Sequence, residues 1–271
     1  MSNASDFHGN SHRNLMKNIE RSSISLKFRA FLFHLTVSLV LAGLAAWLVF
    51  GLWYPYPYRE ISGGRELFFL IVSVDVIMGP LITFVVFNPA KSRREKILDF
   101  GVIGLLQTGA LLYGLWSVAQ ARPVHMVFEY NRFHVVHAVD ILPELLVKAS
   151  PELQRLPLAQ PTYLSLRPMT ATEEMEMTLA AVGGVPLAAR PELWQSYDAA
   201  HAEILKESKP ATELRARFVT QANVIDHAVS HTDFPIERLR YLPLLSRTIA
   251  WTVLIDGDSA KPVGFIPIDP F

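Results

Sequence analysis

Residues 66–87 read ELFFLIVSVDVIMGPLITFVVF: after Glu66 comes an apolar run, 67–87, interrupted by one carboxylate, Asp75, and by a Gly79-Pro80 pair. In a soluble core an acid in such a run would be an expensive burial; in a bilayer it would be a candidate for function. The neighbouring sequence decides which solvent applies. Residues 32–53 (LFHLTVSLVLAGLAAWLVFGLW) and 100–121 (FGVIGLLQTGALLYGLWSVAQA) contain no charged residue. Each run has the length that crosses a bilayer core as a helix, roughly 20 residues. Three such runs in succession predict a transmembrane domain over 28–121, with helices at 32–53, 66–87 and 99–121. The whole chain of 271 residues is 51% hydrophobic and 18% charged, against about 25% charged in an ordinary soluble domain.

The first run reads as a retained anchor. It is longer than the apolar core of a signal peptide, and cleavage near Ala45-Ala46 would cut inside it. Ahead of it, residues 1–27 form a polar tail expected to be disordered and cytoplasmic. Met16 opens the tighter stretch MKNIERSSISLKFRAF, which leaves Met1 and Met16 both open as the start. The N-terminal tail carries Arg13, Lys17, Arg21, Lys27 and Arg29, and the loop NPAKSRREK carries Lys91, Arg93, Arg94 and Lys96; the loop between the first two helices has only Arg59 and Arg65. Basic residues stay inside. The bias therefore predicts a cytoplasmic N-terminus, with everything beyond 121 outside, in the periplasm. Trp53, Tyr54, Tyr56 and Tyr58 are expected at the outer interface, with Trp116 at the same level on the third helix.

Asp75 falls near mid-membrane. A charge there costs at least about 2.5–3.5 kcal/mol, so Asp75 is expected to face other helices, protonated or hydrogen-bonded. The antiparallel third helix brings Gln107 and Thr108 to comparable depth. Pro80 lacks a donor and bends its helix, and Gly79 admits a close neighbour. Two readings follow: a proton relay or ligand contact, or an interhelical polar clamp beside a kink. A relay needs several titratable groups at depth; Asp99 lies at the cytoplasmic boundary and His34 near the cytoplasmic end of helix one, so the clamp is favoured.

Residues 122–271 read as a mixed α+β domain. A hairpin is expected over 124–138 with its turn at Asn131-Arg132, a strand at 162–166, and a helix from the Thr170/Glu173 capping box to about Val182, ended by Gly183-Gly184. Amphipathic helices are expected over 191–207 and 211–231. The end forms a second hairpin turning at Asp256-Gly257-Asp258, with Ile249, Trp251, Val253 and Ile255 on one face. The fold class is thus α+β: three transmembrane helices, then a mixed α+β periplasmic domain.

The search for chemistry excludes more than it finds. Net charge is zero, split as +4 over 1–121 and −4 over 122–271, so no basic footprint for nucleic acid appears. There is no cysteine, hence no thiolate nucleophile and no Cys-ligated zinc or iron–sulfur cluster. No G-x-S-x-G, Walker A or G-x-G-x-x-G occurs. His227 and His231 have a ligand spacing without the glutamate of a zinc protease. His134 and His137 fall on opposite strand faces. Asp256 and Asp258 lack the later ligands of a calcium loop. Asp75 and Asp99 differ in depth by about half a membrane at 1.5 Å per residue, too far apart for a protease dyad. No enzyme, metal or cofactor is expected.

Several stretches in order resemble the type IV pilin accessory proteins, the TfpX/TfpZ group: LKFRAFLFHLTVSLV, WYPYPYREISGG, VDVIMGPLITFVVFNPAKSRRE, GLLQTGALLYGLWSVAQARPVHMVFEYNRFHVVHA and the IPIDPF end. VD-x-x-x-GPL and FNP-x-K-x-RRE are the most specific parts. The resemblance covers about 16–271 and is strongest over 28–140. It implies an inner-membrane protein that helps assemble type IV pili by acting on a pilin subunit. No catalytic residues come with it. Asp75, Gly79 and Pro80, with Gln107 and Thr108 opposite, then form a polar, kinked notch that a neighbouring helix could read. The competing reading is a membrane-anchored periplasmic sensor or ligand-binding protein.

Overall fold

The computed structural model describes residues 4–175, 184–247 and 249–271, with side chains from Ile24 onward among them. Among the described residues three helices are long and apolar enough to cross a membrane: Ile24–Trp53, Gly64–Val86 and Arg93–Gln120. Each starts before the first residue of its apolar run. The third does so because Ser92 and Glu95 make a capping box: the Ser92 N–H donates to Glu95 Oε2 at 2.7 Å and the Glu95 N–H to Ser92 Oγ at 3.3 Å. The backbone of the first helix is continuous from Ala4 to Ala46, so it is helical where composition suggests a disordered tail. Extending a helix that is already nucleated costs little even through polar residues.

The chain divides into two compact units that do not follow chain order. One holds residues 1–47 and 66–117; the other holds 118–271 together with 48–65, which are the end of the first helix, the connection and the first two residues of the second helix. In the first unit, the N-terminal helix packs along Gly79–Val86. The second helix is α-helical over Gly64–Ser73, widens to a π-turn over Val74–Met78, and resumes as α-helix over Gly79–Val86. Pro80 has no N–H to give to the preceding turn, and its ring crowds that turn. The wide turn just before it relieves both faults.

The second unit is built on an eight-stranded mixed sheet. Its strands are β1 (Pro123–Glu129), β2 (Arg132–His137), β3 (Thr162–Leu166), β4 (Trp194–Ser196), β5 (Lys209–Pro210), β6 (Leu239–Leu245), β7 (Ala250–Asp256) and β8 (Pro262–Ile266). The order is β4-β3-β1-β2-β6-β7-β8, with β5 also paired to β6. The β1–β3 and β2–β6 pairs are parallel and the others antiparallel.

Side-chain alternation loads both faces of the sheet. On one face Met126, Phe128, Phe133, Val135, Leu242 and Val253 form a core closed by Tyr197, Ile204, Tyr58 and Ile61. On the reverse, Val127, Val136, Leu164 and Trp194 form a second cluster at the β1/β3 end. There too, Leu239, Leu254 and Ile266 pack under Leu214 and Ile225 of the helices Ala211–Arg217 and Ala222–Ser230.

Several local expectations are corrected. The first hairpin turns at Tyr130-Asn131, since Glu129 pairs with Arg132 and Tyr130 takes φ 55°. Residues 191–207 are not one helix. Pro191–Leu193 and Tyr197–Ala200 are 3-10 turns around strand β4, and only His201–Glu207 is α-helical. The apolar face expected of that helix, Leu193, Trp194, Tyr197, Ala200, Ile204 and Leu205, still points inward: the first five are buried and Leu205 is half-buried against the same core. The expected helix over 211–231 breaks at Phe218, where a 3-10 turn over Val219–Gln221 intervenes. The Thr170/Glu173 box is present, with the Thr170 N–H donating to Glu173 Oε2 at 2.9 Å; the rest of that predicted helix, from Glu176 to Val182, and its Gly183 stop lie outside the described residues. Tyr54 and Tyr58, expected at a lipid interface, are buried in the sheet unit, 0% and 4% exposed.

Candidate functional site

The expected site residues all fall in the first unit, the one that holds most of the three long apolar helices. Asp75, Gly79 and Thr83 recur at four-residue intervals and so share one helix face. Gly79, Pro80 and Thr83 are buried. Against this face lies His34 of the first helix, whose Nδ1 shares a 2.6 Å hydrogen bond with Thr83 Oγ1. From the third helix Gln107 approaches so closely that a Cβ placed on Gly79 would stand 1.7 Å from Gln107 Nε2 and 3.2 Å from His34 Nε2. Three helices therefore meet at Gly79, where a side chain would have to displace the Gln107 amide.

Beside this crossing is a cleft of about 880 Å³. Phe33, Val37 and Leu41 line it from the first helix, Ile103, Gly104 and Leu111 from the third, and Asp75 and Phe87 from the second. Its polar lining is sparse: Arg29, His34, Ser38, Asp75, Gln107 and Thr108. Asp75, Gln107 and Thr108 thus line one cavity, with Gly79 in contact range of Gln107. The clamp expected from Gln107 or Thr108 to Asp75 is not made: Asp75 Oδ1 is buried and has no hydrogen-bond partner. The polar tie between helices is His34 to Thr83 instead.

Sequence reasoning named His34 and set it aside, and it did not name Thr83. The missing signal was the i, i+4, i+8 recurrence of Asp75, Gly79 and Thr83, which marks a small and polar stripe. The loop after the second helix is held by its own basic residues. Lys91 Nζ is 2.6 Å from Asp99 Oδ2 and donates to Val86 O at 3.3 Å, and Lys96 Nζ donates to Pro89 O at 2.8 Å.

The close crossing yields a test. Gly79→Ala forces the Gln107 amide aside and presses on His34 Nε2; because the Gln107 side chain can swing away, the cost falls at the low end of overpacking, about 1 kcal/mol. The expected result is a lower melting temperature for the detergent-solubilised protein, recovered when Gln107→Ala is added to the same chain. A melting temperature unchanged by Gly79→Ala would contradict the close approach.

The sheet unit offers less. His134 Nδ1 is 3.3 Å from Glu129 Oε2, and the buried His137 Nδ1 is 3.0 Å from Asp140 Oδ2. The rings of His227 and His231 lie 4.4 Å apart, tilted by 43°, and His231 Nδ1 donates to His227 O at 2.8 Å, which occupies that nitrogen. Among the described residues no group of three His, Asp or Glu is placed to hold a metal ion. Asp256 accepts from Arg238 Nε at 2.5 Å and from Ser259 Oγ at 2.6 Å, which ties the final hairpin together.

Comparison with known proteins follows this geometry. A family model described as "Fimbrial assembly protein FimB" matches residues 22–63, the first apolar helix and the connection after it. Two relatives from Dichelobacter nodosus match along most of their length. "Fimbrial assembly protein, serogroup I" is 37% identical over 226 residues, 82% of this chain and 88% of the relative. "Fimbrial assembly protein, serogroup E1" is 36% identical over 229 residues, 83% of this chain and 88% of the relative. No solved structure matches. With more than a third of residues shared over helices and sheet alike, the chain belongs to the fimbrial assembly protein family, FimB.

Proposed function

We propose that this protein is an inner-membrane accessory factor of the TfpX/TfpZ type, and that it acts on a type IV pilin subunit before or during its polymerisation. Its three apolar helices cross the inner membrane with the N-terminus in the cytoplasm, and the sheet unit works in the periplasm. The protein acts by binding, as a chaperone or assembly factor, and not by catalysis. One observation carries the reading: relatedness to fimbrial assembly proteins extends over 82% of the chain, so it takes in the apolar helices as well as the sheet. The asymmetry of basic residues supports the orientation.

The test is an in-frame deletion in the source organism, complemented from a plasmid. Surface pili and steady-state pilin are expected to fall about tenfold or more and to recover on complementation. Unchanged piliation would remove the proposed role.

A further inference from the structure

The cleft of the first unit has the dimensions and chemistry of a docking groove for one more helix. A helix about 10 Å across, rising 1.5 Å per residue, fills about 880 Å³ in roughly seven residues, or two turns. The walls suit such an occupant: Phe33, Val37 and Leu41 on one side face Ile103 and Leu111 on the other. Gly104 sits in the wall with nothing within 4 Å of where its Cβ would be. Small residues of this kind are what allow transmembrane helices to approach closely.

The polar lining narrows the occupant further. Asp75 lines the cleft, and its Oδ1 is buried without a hydrogen-bond partner. A buried acceptor left unpaired is costly, more so where no water competes to satisfy it. An acyl chain would fill the apolar volume but offers Asp75 no donor. An anionic lipid headgroup could pair with Arg29 in the lining but would offer the Asp75 Oδ1 no donor. A peptide helix that is apolar along its length and carries one donor at mid-membrane depth fits both features.

We infer that the cleft between the first and third helices, floored by Asp75, docks a single apolar helix of the pilin subunit through a hydrogen-bond donor or cationic group placed at the depth of Asp75. This rests on the pilin-directed reading above and names its site. Asp75 accepts from the incoming helix, the cleft walls supply dispersion contacts, and Gly104 leaves room for the partner backbone. The walls supply the dispersion contacts along the groove, and Asp75 sets register and selectivity, because without its acceptor the donor of the incoming helix is left unpaired in hydrocarbon.

The experiment is in-cell photocrosslinking with the full-length chain in piliated cells, using a photoreactive residue at Leu112. Leu112 lines the cleft and is 61% exposed. Val85, 75% exposed and not among the lining residues, is the control. Adducts are detected with antibody to the major pilin and normalised to chain abundance. Expected are a pilin adduct from position 112 and none from 85. Asp75→Leu and Gly104→Phe should each lower the adduct about tenfold or more, while Asp75→Asn, which keeps an acceptor, should stay within about threefold of the parent. Undiminished adduct in both Asp75→Leu and Gly104→Phe overturns the inference. So does an adduct at 112 that contains lipid or a second copy of this chain instead of pilin, and so does the absence of any adduct there. In each of these cases the deletion phenotype still reports separately whether the protein serves pilus assembly.

Discussion

Tyr58→Ala is expected to destabilise the sheet unit by about 3–5 kcal/mol, the range for truncating a buried aromatic side chain. Tyr58 lies in the connection between the first two apolar helices, yet it is 4% exposed and belongs to the core formed by Met126, Phe128, Phe133 and Leu242. Its ring meets Phe265 edge-on at 6.4 Å, and its hydroxyl donates to Met126 Sδ at 3.8 Å. Thioether sulfur is a weak acceptor, so Tyr58→Phe should cost less than about 1 kcal/mol and separate ring packing from the hydroxyl. Tyr56, two residues earlier, is 52% exposed and touches Trp251 and Phe265 only at its edge; Tyr56→Ala should cost about 0.5–1.5 kcal/mol. The measurement is denaturant unfolding in detergent followed by tryptophan fluorescence. Trp194 and Trp251, both in the sheet unit, report the loss of that core. Equal midpoints for Tyr58→Ala and the parent would show that the connection is not part of the sheet's core.

The same residue shows where sequence reading succeeds and where it stops. Three apolar runs were legible because a bilayer imposes a length and a composition that no local contact can disguise. The strands 123–129, 132–137 and 250–256 were legible because β-branched and aromatic residues alternate within them. Strand β6 (LRYLPLL) was not, since Pro243 argues against a central strand. The structure resolves the conflict by register: β5 pairs with Arg240 and Tyr241, β2 with Leu244 and Leu245, and Pro243 falls in the gap between them. Residues 191–207 carried a helical periodicity that correctly selects the buried side chains. Tertiary pairing of Trp194–Ser196 with β3 nevertheless overrides it. Tyr54 and Tyr58 follow an apolar helix and have the amphipathic character of interface residues; nothing local says that a sheet formed by residues beyond 122 will bury them. Of the candidate site, Asp75, Gln107 and Thr108 could be placed at one depth by counting residues, but the His34–Thr83 bond depends on how the helices rotate about their own axes, which residue counting does not give.

Lowering the pH from 6.5 to 4 is expected to remove about 3 kcal/mol from the stability of the sheet unit through His125 alone. His125 is 2% exposed, its ring lies 4.7 Å from that of Trp194, and Nδ1 shares a 2.8 Å hydrogen bond with Thr162 Oγ1. Nε2 is buried with no partner. Burial pushes the imidazole down from an ordinary value of 6.5 to about 4, because protonation would place a charge and an unpaired N–H against apolar groups. The depressed value fixes the sign. Above 6.5 the histidine is neutral in folded and unfolded chains alike and costs nothing. Below 6.5 the unfolded chain takes up a proton that the folded chain refuses, so stability falls with pH until about 4, where the folded form is protonated as well. Asp140 acts in a separate window. Burial raises its pKa, but hydrogen bonds from His137 and Arg247 outweigh this and hold the carboxyl at about 2 instead of 3.8, so its contribution is present above 3.8 and is lost between 3.8 and 2. Replacing His125 by glutamine, which cannot titrate, should flatten the decline between pH 6.5 and 4 and leave the separate Asp140 loss below 3.8 in place. The check is the denaturation midpoint of both proteins at half-unit steps of pH. Parallel curves for the two proteins above pH 4 would show that His125 is not the group that loosens the sheet.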